Sequence, residues 1–340
     1  MNMPMLPTQR HEHGIYTVDA GHLRPGLAAV HLIVAAGHLA LVDTGTRHCV
    51  PHLLDCMAEL GFGPEAVDYV IVTHVHLDHA GGAGALLLAC PNARLVVHPK
   101  GARHLIDPAK LIAGSMAVYG EVLFHELYGE IVPASPDRVI EADDGYRIDF
   151  HGRVLSFLDT PGHARHHFCV HDIASNSLFT GDTFGISYRE FDVPGAQAFL
   201  FPTTTPVQFE PDALHASIDR LMALDPRAAY LTHYGRVTAL PALAASLHTM
   251  TDDFVRLTLA VEEEGAARHG ALKVALEQYL IEAARAHGCT LPLARMRELL
   301  AGDVELNAQG LLFWRDRLPA WKNSADGEAR PSPLSSFRPA

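Results

Sequence analysis

The sequence predicts an α/β fold in which sheet is flanked by layers of helix. Up to about residue 240, short runs rich in β-forming residues alternate with segments whose apolar residues recur every three or four positions. The predicted strands cover residues 29–35, 38–42, 69–73, 94–98, 154–159, 167–171, 178–180 and 228–232. The predicted helices cover residues 50–60, 83–89, 211–223 and 240–267. Helices packed on both faces of sheet account for this alternation.

The chain divides into a catalytic domain, expected over residues 14–240, and segments without strand patterns. Residues 100–132 are mostly helical in pattern and interrupt the strands, so we expect a helical insertion that forms a lid. From residue 241 to 322 Ala, Leu, Glu and Arg dominate, which indicates a helical C-terminal region. Residues 323–340 are rich in Pro and Ser and are predicted to be disordered.

The composition limits the classes of partner. The 340 residues contain 39 Asp and Glu against 26 Lys and Arg, which disfavours a groove that tracks the phosphate backbone of a nucleic acid. The five cysteines are scattered and form no Cys-x-x-Cys pair, as is typical of reduced thiols in the cytoplasm. The N-terminal residues contain no unbroken apolar run, and the apolar stretch 27–42 is too short and too interrupted to span a membrane. We therefore expect a cytoplasmic protein that acts on a small-molecule substrate.

Histidine is unusually abundant, with 23 residues, and four potential metal ligands follow the apolar strand at 69–73. These ligands are His74, His76, Asp78 and His79, and packing offers no reason to place them together at the end of a buried strand. In a tight loop the first two histidines point to one side and the last two ligands to the other. The run therefore predicts parts of two adjacent metal sites.

Later strands each deliver one further candidate ligand at their carboxyl ends, where loops build sites. His163 follows the strand at 154–159, Asp182 follows the strand at 178–180, and His233 follows the strand at 228–232.

The run His-x-His-x-Asp-His, followed in order by Pro-Gly-His, Gly-Asp and Thr-His, resembles the metallo-β-lactamase-fold superfamily over residues 14–236. The resemblance implies an αββα sandwich with metals at one edge. It implies that His74, His76 and His163 bind one metal. Asp78, His79 and His233 would bind a second metal, and Asp182 would bridge the two. It also implies that Asp43 holds the ligand loop by hydrogen bonds.

The activity that the resemblance implies is hydrolysis by a hydroxide held between two divalent metal ions. Zinc is the default expectation because it suits sites rich in imidazole, although manganese and iron accept the same ligands. The expected substrate is an ester, lactone or thioester, and phosphodiesters and β-lactams are less favoured alternatives. Asp78 and Asp182 are the expected catalytic carboxylates. Tyr188 either donates a hydrogen bond to the developing oxyanion or packs under the insertion.

Other interpretations stay open at the level of sequence. One alternative is an oxidoreductase, because persulfide dioxygenases have similar motifs and use a single iron. Another is a regulatory member of the fold that turns over little substrate. Acyl-homoserine lactonases of this superfamily carry a tyrosine three residues after the bridging aspartate. This chain has Gly185 there, which weakens the interpretation as a lactonase of that kind. No element rich in Lys and Arg follows His233 to clamp glutathione. The helical C-terminal region either roofs the active site or forms a homodimer interface.

Overall fold

Two β-sheets form the centre of the molecule in the computed structural model, which describes residues 5–204 and 207–318. The segment 323–340, predicted to be disordered, lies outside the described residues. The first sheet has seven strands in chain order, antiparallel up to β4 and parallel from there on. Its strands are β1 (Gln9–Arg10), β2 (Ile15–Asp19), β3 (Ala29–Ala35), β4 (His38–Val42), β5 (Val67–Ile71), β6 (Arg94–Val97) and β7 (Val139–Glu141).

The second sheet has six strands in the order β13-β12-β11-β10-β9-β8. Its neighbours are antiparallel except β11 and β12, which run parallel. Its strands are β8 (Arg147–Phe150), β9 (Arg153–Asp159), β10 (Phe168–Asp172), β11 (Ser177–Gly181), β12 (Ala228–Leu231) and β13 (Gly235–Val237).

The two sheets face each other across a buried apolar layer. Because side chains alternate along a strand, every second residue reaches this layer. Ile33, Val42 and Ile71 enter it from the first sheet, and Phe157 and Phe179 enter it from the second. This layer fixes the sheets against each other and leaves the loops at their edges to build a site.

Helices cover the outer face of each sheet, which makes the αββα sandwich that was predicted. The first sheet carries α1 (Val50–Glu59), α2 (Leu77–Ala80), α3 (Ala83–Ala89) and α4 (Pro99–Ile106), the last of which opens the predicted insertion. The insertion continues with α5 (Ala109–Tyr119) and α6 (Glu121–Tyr128). The second sheet carries α7 (Pro211–Met222), α8 (Leu240–Ala260), α9 (Gly265–Ala286) and α10 (Leu293–Arg317).

The C-terminal helices share one apolar core with the second sheet. Leu231 of β12, Leu247 of α8, Leu276 of α9 and Leu300 of α10 all belong to it. The helical region therefore packs onto the sandwich of its own chain. Among the helices of residues 5–204 and 207–318, none is both long enough and apolar enough to cross a membrane.

Candidate metal centre

The structure brings the predicted ligands together at one edge of the sandwich, beyond the carboxyl ends of β5, β9, β11 and β12. They form two groups, and within each group the potential ligand atoms all lie within 4.8 Å of one another. The first group is His74, His76, His163 and Asp182, and the second is Asp78, His79 and His233.

The spacing within the first group suits a metal ion. Nε2 of His74 lies 2.7 Å from Nδ1 of His76, and Nε2 of His163 lies 3.3 Å from that same Nδ1. Nε2 of His163 also lies 3.1 Å from Oδ2 of Asp182. Tetrahedral zinc with bonds of about 2.0–2.1 Å holds its ligand atoms about 3.3 Å apart. The first group is therefore close to the geometry that zinc requires.

The second group has similar spacing. Nε2 of His233 lies 3.3 Å from Nε2 of His79 and 3.3 Å from Oδ2 of Asp78. Nε2 of His79 lies 3.6 Å from the same carboxylate oxygen. Two imidazole nitrogens and one carboxylate oxygen thus converge on one point.

Asp182 presents one carboxylate oxygen to each group. Its Oδ2 faces His163, while its Oδ1 lies 3.3 Å from Nε2 of His79 and 3.6 Å from Nε2 of His233. Oδ1 is buried and makes no well-formed hydrogen bond within the described residues. A buried carboxylate oxygen without a partner is costly, and a cation removes that cost. The donor set, made of imidazoles and carboxylates, fits a pair of divalent ions such as zinc.

Asp43 anchors the centre from behind, as the resemblance implied. The carboxylate is fully buried just past the end of β4. Its Oδ1 accepts the backbone N–H of Thr73 at 2.8 Å, and its Oδ2 accepts Nδ1–H of His79 at 2.8 Å. The hydroxyl of Thr232 donates to the same Oδ2 at 2.5 Å. One side chain therefore fixes the loops after β5 and β12 relative to each other.

Backbone carbonyls orient two further ligands. Nδ1 of His233 lies 2.8 Å from the carbonyl of Leu27, and Nδ1 of His163 lies 3.1 Å from the carbonyl of Thr203. A carbonyl only accepts, so each Nδ1 carries the proton and each Nε2 is turned toward the centre. Sequence reasoning missed both partners because a main-chain carbonyl leaves no side-chain signature.

The electrostatic balance favours ionised carboxylates and neutral histidines in the first group. Burial would raise the pKa of Asp182, but the imidazoles of His79, His163 and His233 outweigh burial and hold this pKa well below its usual range. Burial lowers the pKa of His74, and the neighbouring imidazoles of His79 and His76 lower it further. These are the protonation states in which the residues bind metal.

Gly82, just past the ligand run, lets the chain pack closely against the β4–α1 loop. A Cβ at Gly82 would lie 3.0 Å from the carbonyl oxygens of both Thr44 and Thr46. A larger residue would push the ligand run away from the β4–α1 loop.

Tyr188 is held by a group that sequence reasoning did not identify. Its hydroxyl donates to Oδ1 of Asp303 at 3.1 Å, and its ring is buried. Asp303 belongs to α10, so Tyr188 packs under the C-terminal region rather than under the insertion. The guanidinium of Arg24 lies 4.4 Å from the centre of the tyrosine ring. No motif in the sequence connects residue 303 with the metal loops.

The loop 20–28 between β2 and β3 also lies beside the centre. The carbonyl of Leu27 in this loop accepts Nδ1–H of His233 at 2.8 Å, and burial lowers the pKa of His22. The ring stacks on Tyr128 of the insertion with 6.1 Å between centroids. His98, by contrast, bonds Oδ1 of Asp159 at 3.0 Å and is outside both groups.

Comparison with known proteins agrees with the fold and with the motifs. Residues 23–233 match the model of the metallo-beta-lactamase superfamily. A metallo-beta-lactamase fold-containing protein of Sulfurisphaera tokodaii is 27% identical over 230 residues, which are 66% of this chain and 80% of that protein. A hydroxyacylglutathione hydrolase of Aeromonas salmonicida is 30% identical over 205 residues, which are 60% of each chain.

Two solved structures share the fold. A metallo-beta-lactamase superfamily protein from Sulfolobus tokodaii has a TM-score of 0.60 at 23% identity and covers 88% of this chain and 98% of its own. A metallo-beta-lactamase family protein from Thermus thermophilus has a TM-score of 0.59 at 24% identity and covers 85% of this chain and 93% of its own. The family match spans most of the sandwich and ends at the last candidate ligand, and the chain therefore belongs to the metallo-β-lactamase superfamily.

Proposed function

We propose that the protein is a dinuclear metal-dependent hydrolase of an ester, lactone or thioester. The observation that carries this proposal is the placement of Asp182, whose two carboxylate oxygens face two separate groups of ligands. A carboxylate in that position suits a bridge between two cations. Membership of the superfamily supports a hydrolase that uses metals.

Each residue of the centre has a defined task in this proposal. His74, His76 and His163 would hold one ion, Asp78, His79 and His233 would hold the other, and Asp182 would join them. Two divalent ions bound there supply a water of lowered pKa and polarise the substrate's carbonyl oxygen. Asp43 and the carbonyls of Leu27 and Thr203 keep the ligand nitrogens aimed at the centre.

The insertion supplies an apolar wall beside the second group. Leu77 of α2 packs in one buried cluster with Phe124, Tyr128 and Ile131. Because Leu77 directly precedes the ligand Asp78, this cluster lies next to the proposed reaction site. A wall of this kind favours the acyl part of a substrate over a strongly charged group.

The curated relatives support acyl hydrolysis among the activities of this fold. Two hydroxyacylglutathione hydrolases, from Aeromonas salmonicida and Aeromonas hydrophila, are 30% and 31% identical over 205 residues, which are 60% of each of those enzymes. Their names describe the hydrolysis of an acyl-glutathione, and we extend to this chain only the acyl chemistry.

A dioxygenase with one iron is the competing proposal. It needs two histidines of the ligand run, the later histidine and the aspartate, all of which belong to the first group. It gives no reason for Asp78, His79 and His233 to converge at 3.3–3.6 Å. Because persulfide dioxygenases share these motifs and still use a single iron, the number and identity of the bound metals decide between the two proposals.

The test is hydrolysis of a panel by protein reconstituted with zinc, manganese or iron. The panel is an aryl acetate, an acyl lactone, a glutathione thioester, a bis-aryl phosphodiester and a cephalosporin. We expect two metal ions per chain and turnover of an acyl substrate. Asp182→Ala should lower kcat by more than the roughly 10–100-fold loss seen when outer partners of a metal site are removed. The matched control, Asp212→Ala, changes an exposed aspartate at the start of α7 and should behave as wild type.

Two outcomes contradict the proposal. A single bound iron together with oxygen consumption on a persulfide identifies the dioxygenase. Two bound metals with no turnover of any member of the panel would point to a regulatory protein.

A further inference from the structure

One face of α10 covers the loops that carry the metal ligands. Asp303 and Asn307 lie four residues apart, so their side chains leave the helix on the same side. The amide oxygen of Asn307 accepts the backbone N–H of Thr204 at 2.7 Å. Thr204 directly follows Thr203, whose carbonyl orients His163. The contacts of Asn307 therefore place this face of α10 over the first group.

Asp303 lies on the same face and contacts the segment that follows Asp182. Its carboxylate accepts the hydroxyl of Tyr188, six residues beyond Asp182, at 3.1 Å. Arg24 stacks on the tyrosine ring and pairs with Glu190 through Nη1 at 2.6 Å. Residue 303 keeps partial solvent exposure although protein atoms surround its carboxyl group. The carboxyl group is therefore largely, but not wholly, screened from solvent.

Burial, and not the surrounding charges, is the main reason that the pKa of Asp303 is raised. Burial raises the pKa of Asp303 to about 6, and the charge of Asp182 acts in the same direction. The charge of His233, the hydrogen bond from Tyr188 and the charge of Arg24 act in the opposite direction and limit the rise. A carboxyl group with a raised pKa beside a reaction centre has the property that a general acid needs.

We propose that Asp303 protonates the leaving oxygen of the substrate, and that the substrate is an oxygen ester or lactone of an unactivated alcohol. This inference rests on the proposed hydrolase function. Hydrolysis forms a bond from a water oxygen to the acyl carbon and breaks the bond from that carbon to the leaving oxygen. The proton of Asp303 moves to the leaving oxygen, and the proton released by the water restores Asp303.

The need for an acid distinguishes oxygen from sulfur leaving groups. A thiol has a pKa of about 8.5, so a thiolate leaves near neutral pH without a proton. The alkoxide of an ordinary alcohol is far more basic and leaves slowly unless it is protonated as the bond breaks. A general acid at position 303 therefore favours an ester or lactone over a thioester.

The experiment compares Asp303→Asn with wild type on an aryl acetate, an alkyl acetate and an alkyl lactone. An aryl oxide leaves readily, so we expect kcat on the aryl ester to stay within about threefold of wild type. On the alkyl substrates we expect the loss that removal of a general acid causes, about 10²–10⁴-fold. Metal content and melting temperature, measured on the same samples, should match wild type. Glu305→Gln is the matched control, since Glu305 lies on the same helix and pairs with Lys273 instead.

A pH profile gives a signature that a structural role would not produce. In wild type, kcat on the alkyl substrates should fall as the pH rises through the pKa of Asp303, and this limb should be absent in Asp303→Asn. Tyr188→Phe removes a hydrogen bond that lowers the pKa of Asp303. The limb should therefore move to higher pH in Tyr188→Phe.

Infrared difference titration of the metal-loaded protein adds a readout that does not depend on turnover. The band of a protonated carboxyl group should titrate above the ordinary range of an aspartate in wild type and be missing in Asp303→Asn. Absence of this band in wild type overturns the inference. An equal loss on aryl and alkyl esters also overturns it and leaves the hydrolase proposal intact. Silence of wild type on all three substrates together with turnover of a glutathione thioester overturns the inference and leaves the hydrolase proposal intact. Silence on the thioester as well overturns both.

Discussion

At the scale of single residues, the ligand set was predictable because each ligand is a side chain in a short motif. His74, His76, Asp78 and His79 lie within six residues, and no packing requirement explains them. The partners of His163 and His233 were not predictable, because they are main-chain carbonyls in loops far away in sequence. Asp303 was not predictable either, because it lies in a helix 70 residues beyond His233, in a region whose sequence indicates only helix.

Asp43 gives the sharpest prediction at this scale. Asp43→Asn replaces one carboxylate oxygen by an NH2 group, which accepts no hydrogen bond, so either Thr73 or the pair of His79 and Thr232 loses its acceptor. The orientation of His79 then weakens, and we expect the affinity of the second group for zinc to fall about 10–100-fold. Competition with a chromophoric chelator measures this affinity.

The matched control for that variant is Asp219→Asn on α7. Asp219 also accepts a hydrogen bond from an imidazole, that of His248 at 3.1 Å, but it belongs to no cluster of potential metal ligands among the described residues. Its substitution should leave the affinity unchanged. Equal affinity of Asp43→Asn and wild type would show that Asp43 does not orient the ligand.

At the scale of elements, predicted and observed bounds agree where apolar runs end in turns. The strands at 29–35 and 38–42 and the helix at 83–89 have the bounds that the sequence predicted. The strand predicted at 69–73 ends instead at Ile71. The N–H of Thr73 bonds the Asp43 carboxylate and not a neighbouring strand, so a side chain replaces the sheet ladder there. The short strands β1, β2, β7, β8 and β13 were missed because their apolar patterns are too brief to distinguish from loop.

The helix predicted at 240–267 divides into two because of a contact from elsewhere in the chain. α8 ends at Ala260, and α9 begins at Gly265. Nη1 of Arg315, from α10, donates to the carbonyls of Thr258 and Val261 at 2.8 and 3.0 Å. These carbonyls lack partners within a helix that ends there, so the arginine stabilises the break.

We therefore expect Arg315→Met to lower the free energy of unfolding by about 1.5–3 kcal/mol, the range for hydrogen bonds to a charged group. Methionine keeps an apolar stem but leaves the two carbonyls without their donor. Urea unfolding measures the change. Arg317→Met, an exposed position of the same helix, should change stability by less than about 0.5 kcal/mol. A shift of equal size in the two variants would assign the effect to the loss of charge.

At the scale of the whole molecule, the αββα sandwich and the helical character of the C-terminal region were predictable from period and motif order. The packing of that region was not predictable, because the apolar face of an amphipathic helix does not identify the surface that it will cover. The core shared by α8, α9, α10 and the second sheet explains how residue 303 comes to lie over metal loops that precede it by at least 70 residues. The sequence left two alternatives open for this region, a roof over the active site and a homodimer interface. The contacts of α10 favour the roof.

The edge opposite the metal centre is closed by polar contacts between the sheets. Arg153, at the start of β9, forms a buried pair with Asp172 of β10, with Nε 2.9 Å from Oδ1 and Nη2 2.5 Å from Oδ2. Its Nη1 donates to the carbonyls of His13 and Val34, which belong to the first-sheet side, at 2.6 and 3.2 Å. One guanidinium therefore joins the two layers of the sandwich.

Arg153→Met should destabilise the protein by about 3–5 kcal/mol at pH 7, because it leaves the Asp172 carboxylate buried and uncompensated. Burial would raise the pKa of Asp172, but hydrogen bonds from Arg153 and Ser175 outweigh burial and lower it in the folded protein. A depressed folded pKa stabilises the protein above the unfolded value of about 3.9, and this contribution is lost as the pH falls through the folded pKa. The difference in unfolding free energy between wild type and variant should therefore be largest at neutral pH and shrink below about pH 4, as urea unfolding across that range would show.

Since Arg153 lies at the edge opposite the metal centre, the zinc content of the folded variant should equal that of wild type. A stability difference that stays constant with pH would mean that the arginine acts through its two carbonyl contacts and not through the ion pair.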